Sequence, residues 1–228
     1  MERRPRVDIS AATARPYPEV ATPDKRISVE IAGVRTTNIV IQDHAVAIER
    51  AQDVAKQGAA VLWVRSTVAD ALDDYHTLQA GGAPVMLHHS RFADVDRQYL
   101  DRQVLGLIGL GARRKGIVIV GTQTLEQSLD IDADLLVSDA VPADVFIQRL
   151  GRLHRHRTGT FPTAILLDPG DWEARVTSQG TPLGGPGQGW AWIYNPLAVR
   201  ETVEWLRAQR SISVPGDVRE VVELARAT

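Results

Sequence analysis

The sequence predicts an α/β fold, a parallel sheet covered by helices on both faces, and three observations predict it. Short apolar runs of four to six residues alternate with helical patterns of ten or more. The runs are apolar throughout, with no in–out alternation, as strands buried on both faces must be. Polar and hydroxyl-bearing residues follow directly on the runs, where sheets of this kind carry their working loops.

Taken in order, residues 1–40 read as an irregular connector, punctuated by Pro5, Pro16, Pro18 and Pro23, with short β-rich runs at 27–31 and 37–41. A helix is expected over 43–57, with Val46, Ile48, Ala51 and Val54 on or near one face and Gly58 as its stop. Strands are expected at 60–64, 85–88, 116–120, 135–137 and 163–167, and further helices at 67–78 and 92–108. This arrangement puts 66–67, 88–91, 121–127 and 139–142 on one rim. Residues 41–170 form the predicted domain. Residues 171–228 read as a Gly/Pro-rich linker (180–189) followed by a small helical extension, with helices at 196–209 and 217–227. There is no internal repeat.

The bulk numbers narrow the function classes. The chain has 228 residues, enough for one domain and a small appendage and too few for a complete two-lobed motor. A net charge of −2 argues against a general nucleic-acid coat and leaves a local basic strip open. The absence of cysteine excludes disulfides, Cys-based zinc sites and a Cys nucleophile. No apolar run has the length of a membrane span, so no membrane partner is expected and the cytoplasm is the expected location. Only Lys25, Lys56 and Lys115 stand among the 26 basic residues, a bias that a GC-rich genome explains and that also suits bidentate phosphate contacts.

The chemistry is concentrated in GIVIVGTQTLEQSLDIDADLLVSDAVPADVFIQRLGRLHRH, residues 116–156. Thr122 and Thr124 follow a strand and open a short helix, where free backbone N–H groups bind phosphate. Asp130, Asp132 and Asp134 come next, then a strand, then Pro142 in the expected first turn of a helix. Gln148, Arg152 and Arg155 would share one face if that helix continued. If Gly151 breaks it, the last two arginines project from a turn. Each feature has a plainer reading: a solvated helix face for the arginines, a cap for Thr122, a loop for the aspartates. His154 with His156, and His88 with His89, are incomplete as metal sites.

Taken together, these residues carry a resemblance. QRLGRLHRH resembles motif VI of superfamily 2 helicases, Q-R-x-G-R-x-x-R, and GTQTLEQSLDID resembles their motif V. More narrowly, the two segments resemble the CRISPR-associated type I helicase–nuclease. VLWVRSTVADALDDYHTL (61–78) resembles that family's motif IV, with Ser66 where the family often has Asn. MLHHSRFADVDR (86–97) resembles its L-H-S-R-F segment, the stretch after 189 resembles the segment C-terminal to the second lobe, and RPYPEVAT resembles the connector out of the first.

The resemblance implies a RecA-like sheet of the P-loop NTPase type, the second helicase lobe, with the extension behind it. It implies that Arg152 and Arg155 reach the γ-phosphate of ATP as arginine fingers, a contribution of roughly 10³–10⁵ in rate in related NTPases. Gln148 would be a further catalytic group. Arg149 would line the cleft with Gln148 and tie it to motif V, Gly151 would allow close backbone approach, and Asp130 would contact the ribose or couple to the fingers. Thr122, Thr67 and Ser90, helped by Arg91, would hold the backbone of single-stranded DNA.

The sequence contains no G-x-x-x-x-G-K-[ST] loop, no D-E-x-H-type magnesium box and nothing like a His–Asp nuclease. In the family those parts precede this lobe. ATP and Mg2+ are therefore expected only together with a first RecA-like lobe, in the same or a separate chain, and the chain alone is not expected to hydrolyse ATP. Expected partners are that lobe, the nuclease domain, single-stranded DNA and a CRISPR effector complex. The competing readings are a non-catalytic module that binds single-stranded DNA or docks on the effector, a truncated gene product, and a lobe of another superfamily 2 translocase.

Overall fold

The computed structural model describes residues 19–29, 33–112, 115–126, 129–157, 161–178, 180–183 and 190–226. Most of the first part of the connector, Gln127 and Ser128 of the motif V run, and residues 184–189 of the Gly/Pro-rich stretch lie outside the described residues. The chain divides into two units, 1–34 and 35–228. In the first, β1 (Glu19–Ala21) pairs antiparallel with β2 (Arg26–Ser28).

The second unit is built on one sheet of β3 (Arg35–Gln42), β4 (Ala60–Val64), β5 (Val85–His88), β6 (Ile117–Gly121), β7 (Leu135–Ser138), β8 (Thr163–Leu167) and β9 (Ser211–Val214). The order across it is β5-β6-β4-β7-β8-β3-β9. All neighbours are parallel except β9, which runs antiparallel to β3. Side chains alternate between the faces, as the pleat requires. Leu62, Ile119, Leu136 and Leu166 enter one core, and Val61, Trp63, Val118, Val137 and Ile165 enter the other.

Helices α1 (His44–Lys56) and α2 (Val68–Ala80) cover the second core, through Ala47, Ile48, Ala51, Ala71 and Leu78. The first core is closed by Val104 and Ile108 of α3 (Asp94–Ile108), Phe146 and Leu150 of α4 (Ala143–Leu150), and Val199, Val203 and Leu206 of α6 (Pro196–Gln209). It also takes Trp190 and Ala191 of α5 (Trp190–Ile193), and Val221 and Ala225 of α7 (Val218–Arg226).

Several local readings change. Pro142 stands at the N-cap position, one residue ahead of the helix it was expected to open. The short helix expected after Thr122 is a single 3-10 turn, Gln123–Leu125, and Thr122 makes no side-chain cap hydrogen bond. Strand β3 begins at Arg35, inside the stretch read as connector. Ser211–Val214, a polar–apolar alternation that the sequence reading left between two helical patterns, pairs with β3 and buries Ile212, so the extension contributes to the sheet itself. Gly116 is required where β6 begins, because a Cβ there would stand 1.7 Å from the Ala55 carbonyl oxygen.

Candidate functional site

Register brings the carboxyl ends of the central strands flush. Val64 pairs with both Gly121 and Ser138, and His88 pairs with Gly121. Backbone bonds continue past the strands, from Arg65 N–H to Gly121 O, Thr122 N–H to His88 O and Asp139 N–H to Val64 O. Gly121 is held to glycine by this closeness, since a Cβ would lie 2.3 Å from the His88 carbonyl oxygen. One rim therefore carries Ser66 and Thr67, His88 through Arg91, Thr122 through Leu125, and Asp139.

The rim residues differ in what they can offer. Ser90 and Arg91 are exposed. Thr67 is half-buried and caps α2: its hydroxyl donates to Asp70 Oδ2 (2.6 Å) and accepts the Asp70 N–H (3.1 Å). Thr122 is only 2% exposed. His89 stacks on Phe92 with ring centroids 4.2 Å apart. Burial, with His88 and Arg91 nearby, pushes its pKa down against an opposing backbone hydrogen bond.

Beneath the rim lies a polar network that the sequence reading missed. Arg65, 6% exposed, pairs with Asp74 (3.3 Å), Asp139 (3.3 Å) and Asp70 (3.7 Å). Burial opposes the Arg65 charge, but Asp139, Asp74, Asp70 and Asp73 together outweigh it and raise the pKa. Asp74 also accepts from Trp63 Nε1 (2.6 Å) and bonds His44 Nε2 (2.6 Å). Asp139 accepts the Ser66 N–H (2.6 Å), so the loops after β4 and β7 are bolted together. A cleft of about 320 Å3 opens above this network, walled by Asp73, Asp168 and Trp190. A charged side chain closing an apolar run at Arg65 was the available sequence signal. Its partners come from two other segments and left none.

Motif VI falls in a second place. Helix α4 ends at Leu150, so Gln148, Arg152 and Arg155 do not share a helix face. Gln148 is exposed on the last turn and Gly151 stands in the C-cap position. The turn after it is clamped by the aspartates. An isolated bridge between Ala133 and Leu153 holds the aspartate run beside that turn. Asp130 pairs with Arg155 Nε (2.8 Å) and bonds His156 Nε2 (3.0 Å). Asp132 accepts the Arg155 N–H (2.9 Å), and Asp134 pairs with Arg157 (2.5 Å) while accepting the Ala60 N–H (2.7 Å). Because Ala60 starts β4 and Val64 ends it, the clamp and the rim lie at opposite edges, roughly 13 Å apart along the strand at 3.3 Å per residue.

Arg152 donates from Nη2 to the Glu126 carbonyl (2.6 Å), and its Nε is buried with no hydrogen-bond partner among the described residues. Burial, then Arg155, lowers its pKa. Arg149, expected among the cleft-lining residues, is 0% exposed and presents no surface to a nucleotide. Its guanidinium donates to Glu126 Oε1 (2.7 Å), Ser138 Oγ (2.8 Å) and Val64 O (3.4 Å), and its Nη2 is buried with no hydrogen-bond partner among the described residues. It ties motif VI to motif V from inside the core, and Glu126 joins the two by accepting from Arg149 with its carboxylate and from Arg152 with its carbonyl. Arg35 is a further member that the sequence reading assigned to the connector. It donates to Leu150 O (2.5 Å) at the end of α4, and its pKa is lowered by burial and by Arg155.

The structure thus gathers Arg152, Arg155, Asp130 and Gly151 at the clamp, leaves Thr67, Ser90, Arg91 and Thr122 on the rim, and sinks Arg149 between them. Residues 57–158 match the family described as CRISPR-associated nuclease/helicase Cas3, C-terminal. That stretch is a Cas3-type C-terminal helicase segment. The chain is 35% identical over 148 residues to the CRISPR-associated endonuclease/helicase Cas3 of Thermus thermophilus, covering 62% of this chain and 15% of that protein. It is 50% identical over 78 residues to the Cas3 of Streptococcus thermophilus, covering 34% of this chain and 8% of that one. The crystal structure of T. fusca Cas3 with ATP superposes with a TM-score of 0.72 at 26% identity, over 87% of this chain and 24% of that one. The Cas3-type lobe is thus a small part of the length of these relatives. Among the described residues no group of three potential ligands could hold a metal, and no helix is long and apolar enough to cross a membrane.

Proposed function

We propose that this lobe is the second half of an ATP-driven motor that moves along single-stranded DNA in a type I CRISPR interference system. It would complete the ATP site of a first RecA-like lobe joined to a nuclease domain and act beside a CRISPR effector complex. The observation that carries this reading is the clamped turn. Arg155 is 43% exposed, and its Asp130 partner, 52% exposed, can give it up cheaply. Arg152 beside it has a buried Nε–H with no hydrogen-bond partner among the described residues. Two guanidiniums held at one place suit the charge that spreads over a transferring phosphoryl group. ATP and Mg2+ would be gripped by the first lobe. This lobe would supply Arg152 and Arg155 to the γ-phosphate, with Gln148 beside them and Asp130 as the group that releases Arg155. On the rim, Ser90 and Arg91 are the most available contacts to a DNA backbone, with Thr67 and Thr122 behind them.

The deciding measurement is ATPase activity with single-stranded DNA, for this chain alone and mixed with a separately expressed first lobe carrying the phosphate loop. Activity in the mixture only, lost in Arg152→Ala and Arg155→Ala, supports the proposal. Full activity in both variants removes the finger roles. DNA binding with no nucleotide dependence in the mixture turns the chain into a binding module instead.

A further inference from the structure

His88 sits at the carboxyl end of β5, 1% exposed, and its ring is bonded on both sides. Nε2 lies 2.7 Å from Asp101 Oδ1 on α3, and Nδ1 lies 2.8 Å from the Thr124 hydroxyl in the 3-10 turn after β6. A carboxylate only accepts, so Nε2–H donates to Asp101. In the neutral ring Nδ1 then accepts the Thr124 hydroxyl hydrogen. The His88 carbonyl meanwhile accepts the Thr122 N–H (3.3 Å), so one residue holds the motif V turn by its ring and by its backbone.

The same residue joins two patches of the rim. Ser90 and Arg91 follow it by two and three positions, in the loop that leads into α3, and Asp101 is on that helix. Helix α3 buries only Val104 and Ile108 against the core, both in its last turns. Asp101, midway along α3, ties that helix through His88 to the motif V turn.

We propose that His88 is a positioning residue for the DNA-binding rim. Through Thr124 and Thr122 it sets the motif V turn, and its Nε2–H on Asp101 orients the ring so that Nδ1 accepts from Thr124. The inference rests on the proposed binding of single-stranded DNA. It also ranks the two motif V hydroxyls: Thr124 is the one under control of His88, and Thr122 is sealed beneath it.

The two ring nitrogens can be replaced separately. Asn at 88 places an acceptor near the Nδ1 position, and Gln places a donor near Nε2. The test is fluorescence anisotropy of a labelled oligo-dT strand with the full chain, alongside the thermal midpoint of each variant. His88→Asn is expected to keep affinity within about twofold, whereas His88→Gln and Thr124→Val each weaken it roughly fivefold to tenfold, the worth of one hydrogen bond. The double variant His88→Gln/Thr124→Val should lose no more than either alone, because both cut the same link. Thr124→Ser, which keeps the hydroxyl, should bind as wild type. Equal losses in the Asn and Gln variants, or losses that multiply in the double variant, overturn the positioning role. If the His88 variants fail to fold, Thr124→Val matching Thr124→Ser overturns it alone. Absence of any binding by the wild-type chain is a different failure, because it removes the DNA reading itself and the inference with it.

Discussion

Arg149 and Arg155 stand six residues apart in one motif, and the fold treats them in opposite ways. Arg149 is wholly buried, against a Glu126 whose side chain is 6% exposed, while Arg155 and Asp130 pair with 43% and 52% of their side chains in solvent. The distance between charges is nearly the same, 2.7 and 2.8 Å. What differs is the cost of separating them. Removing one partner of a buried pair leaves a charge without water or counterion, whereas an exposed pair exchanges its partner for solvent at almost no cost. A residue that must hand its guanidinium to a ligand belongs in the second setting. A residue that must keep two motifs in register belongs in the first.

The comparison is most exposed to failure at Arg149. Arg149→Ala strands Glu126 and is expected to cost about 3–5 kcal/mol in urea unfolding. A loss below about 1 kcal/mol would mean that Glu126 relaxes to solvent. Gly121→Ala comes next, because its Cβ would meet the His88 backbone, and about 1–3 kcal/mol is expected. A neutral result there would show that the rim loops can part, against the tight register of the central strands. Arg155→Ala should change stability by less than about 0.5 kcal/mol, while removing ATPase activity in the two-lobe mixture. A large loss of stability would make Arg155 a structural residue like Arg149 and dissolve the contrast.

The smallest effect concerns His89. Burial lowers its pKa, so the folded state binds fewer protons there than the unfolded chain. Its contribution to stability is present above the unfolded value of about 6.5 and is lost as pH falls through the lowered folded value. The readout is a difference between variant and wild type, so that the other titrating groups cancel. The drop in thermal midpoint from about pH 7.5 to about pH 5.5 should be smaller in His89→Phe than in wild type. An equal drop in both would show that His89 is solvated enough to protonate freely.

Much of this lobe is legible in its sequence because the signals are local. Five apolar runs identify five strands of the sheet, since a strand buried on both faces can carry no polar residue between its ends. The Gln148–Arg155 box and the Thr122–Asp134 run identify the segments that matter, since their residue types and spacing sit within single stretches of chain. Ser211–Val214 alternates polar and apolar residues, but its place as an edge strand depends on β3 lying open beside it, which four residues do not report.

What the tertiary structure alone decided is which charge faces what. Arg149 and Arg155 are the same residue type in the same motif, and no local pattern separates a buried anchor from an exposed donor. Arg35 joins the clamp, Arg65 binds three carboxylates and His88 bridges Asp101 and Thr124 because sheet order and register bring distant segments together. Periodicity reports a residue's relation to its own element. Burial and pairing of a charge are properties of the neighbours it meets, and only the packed sheet supplies those.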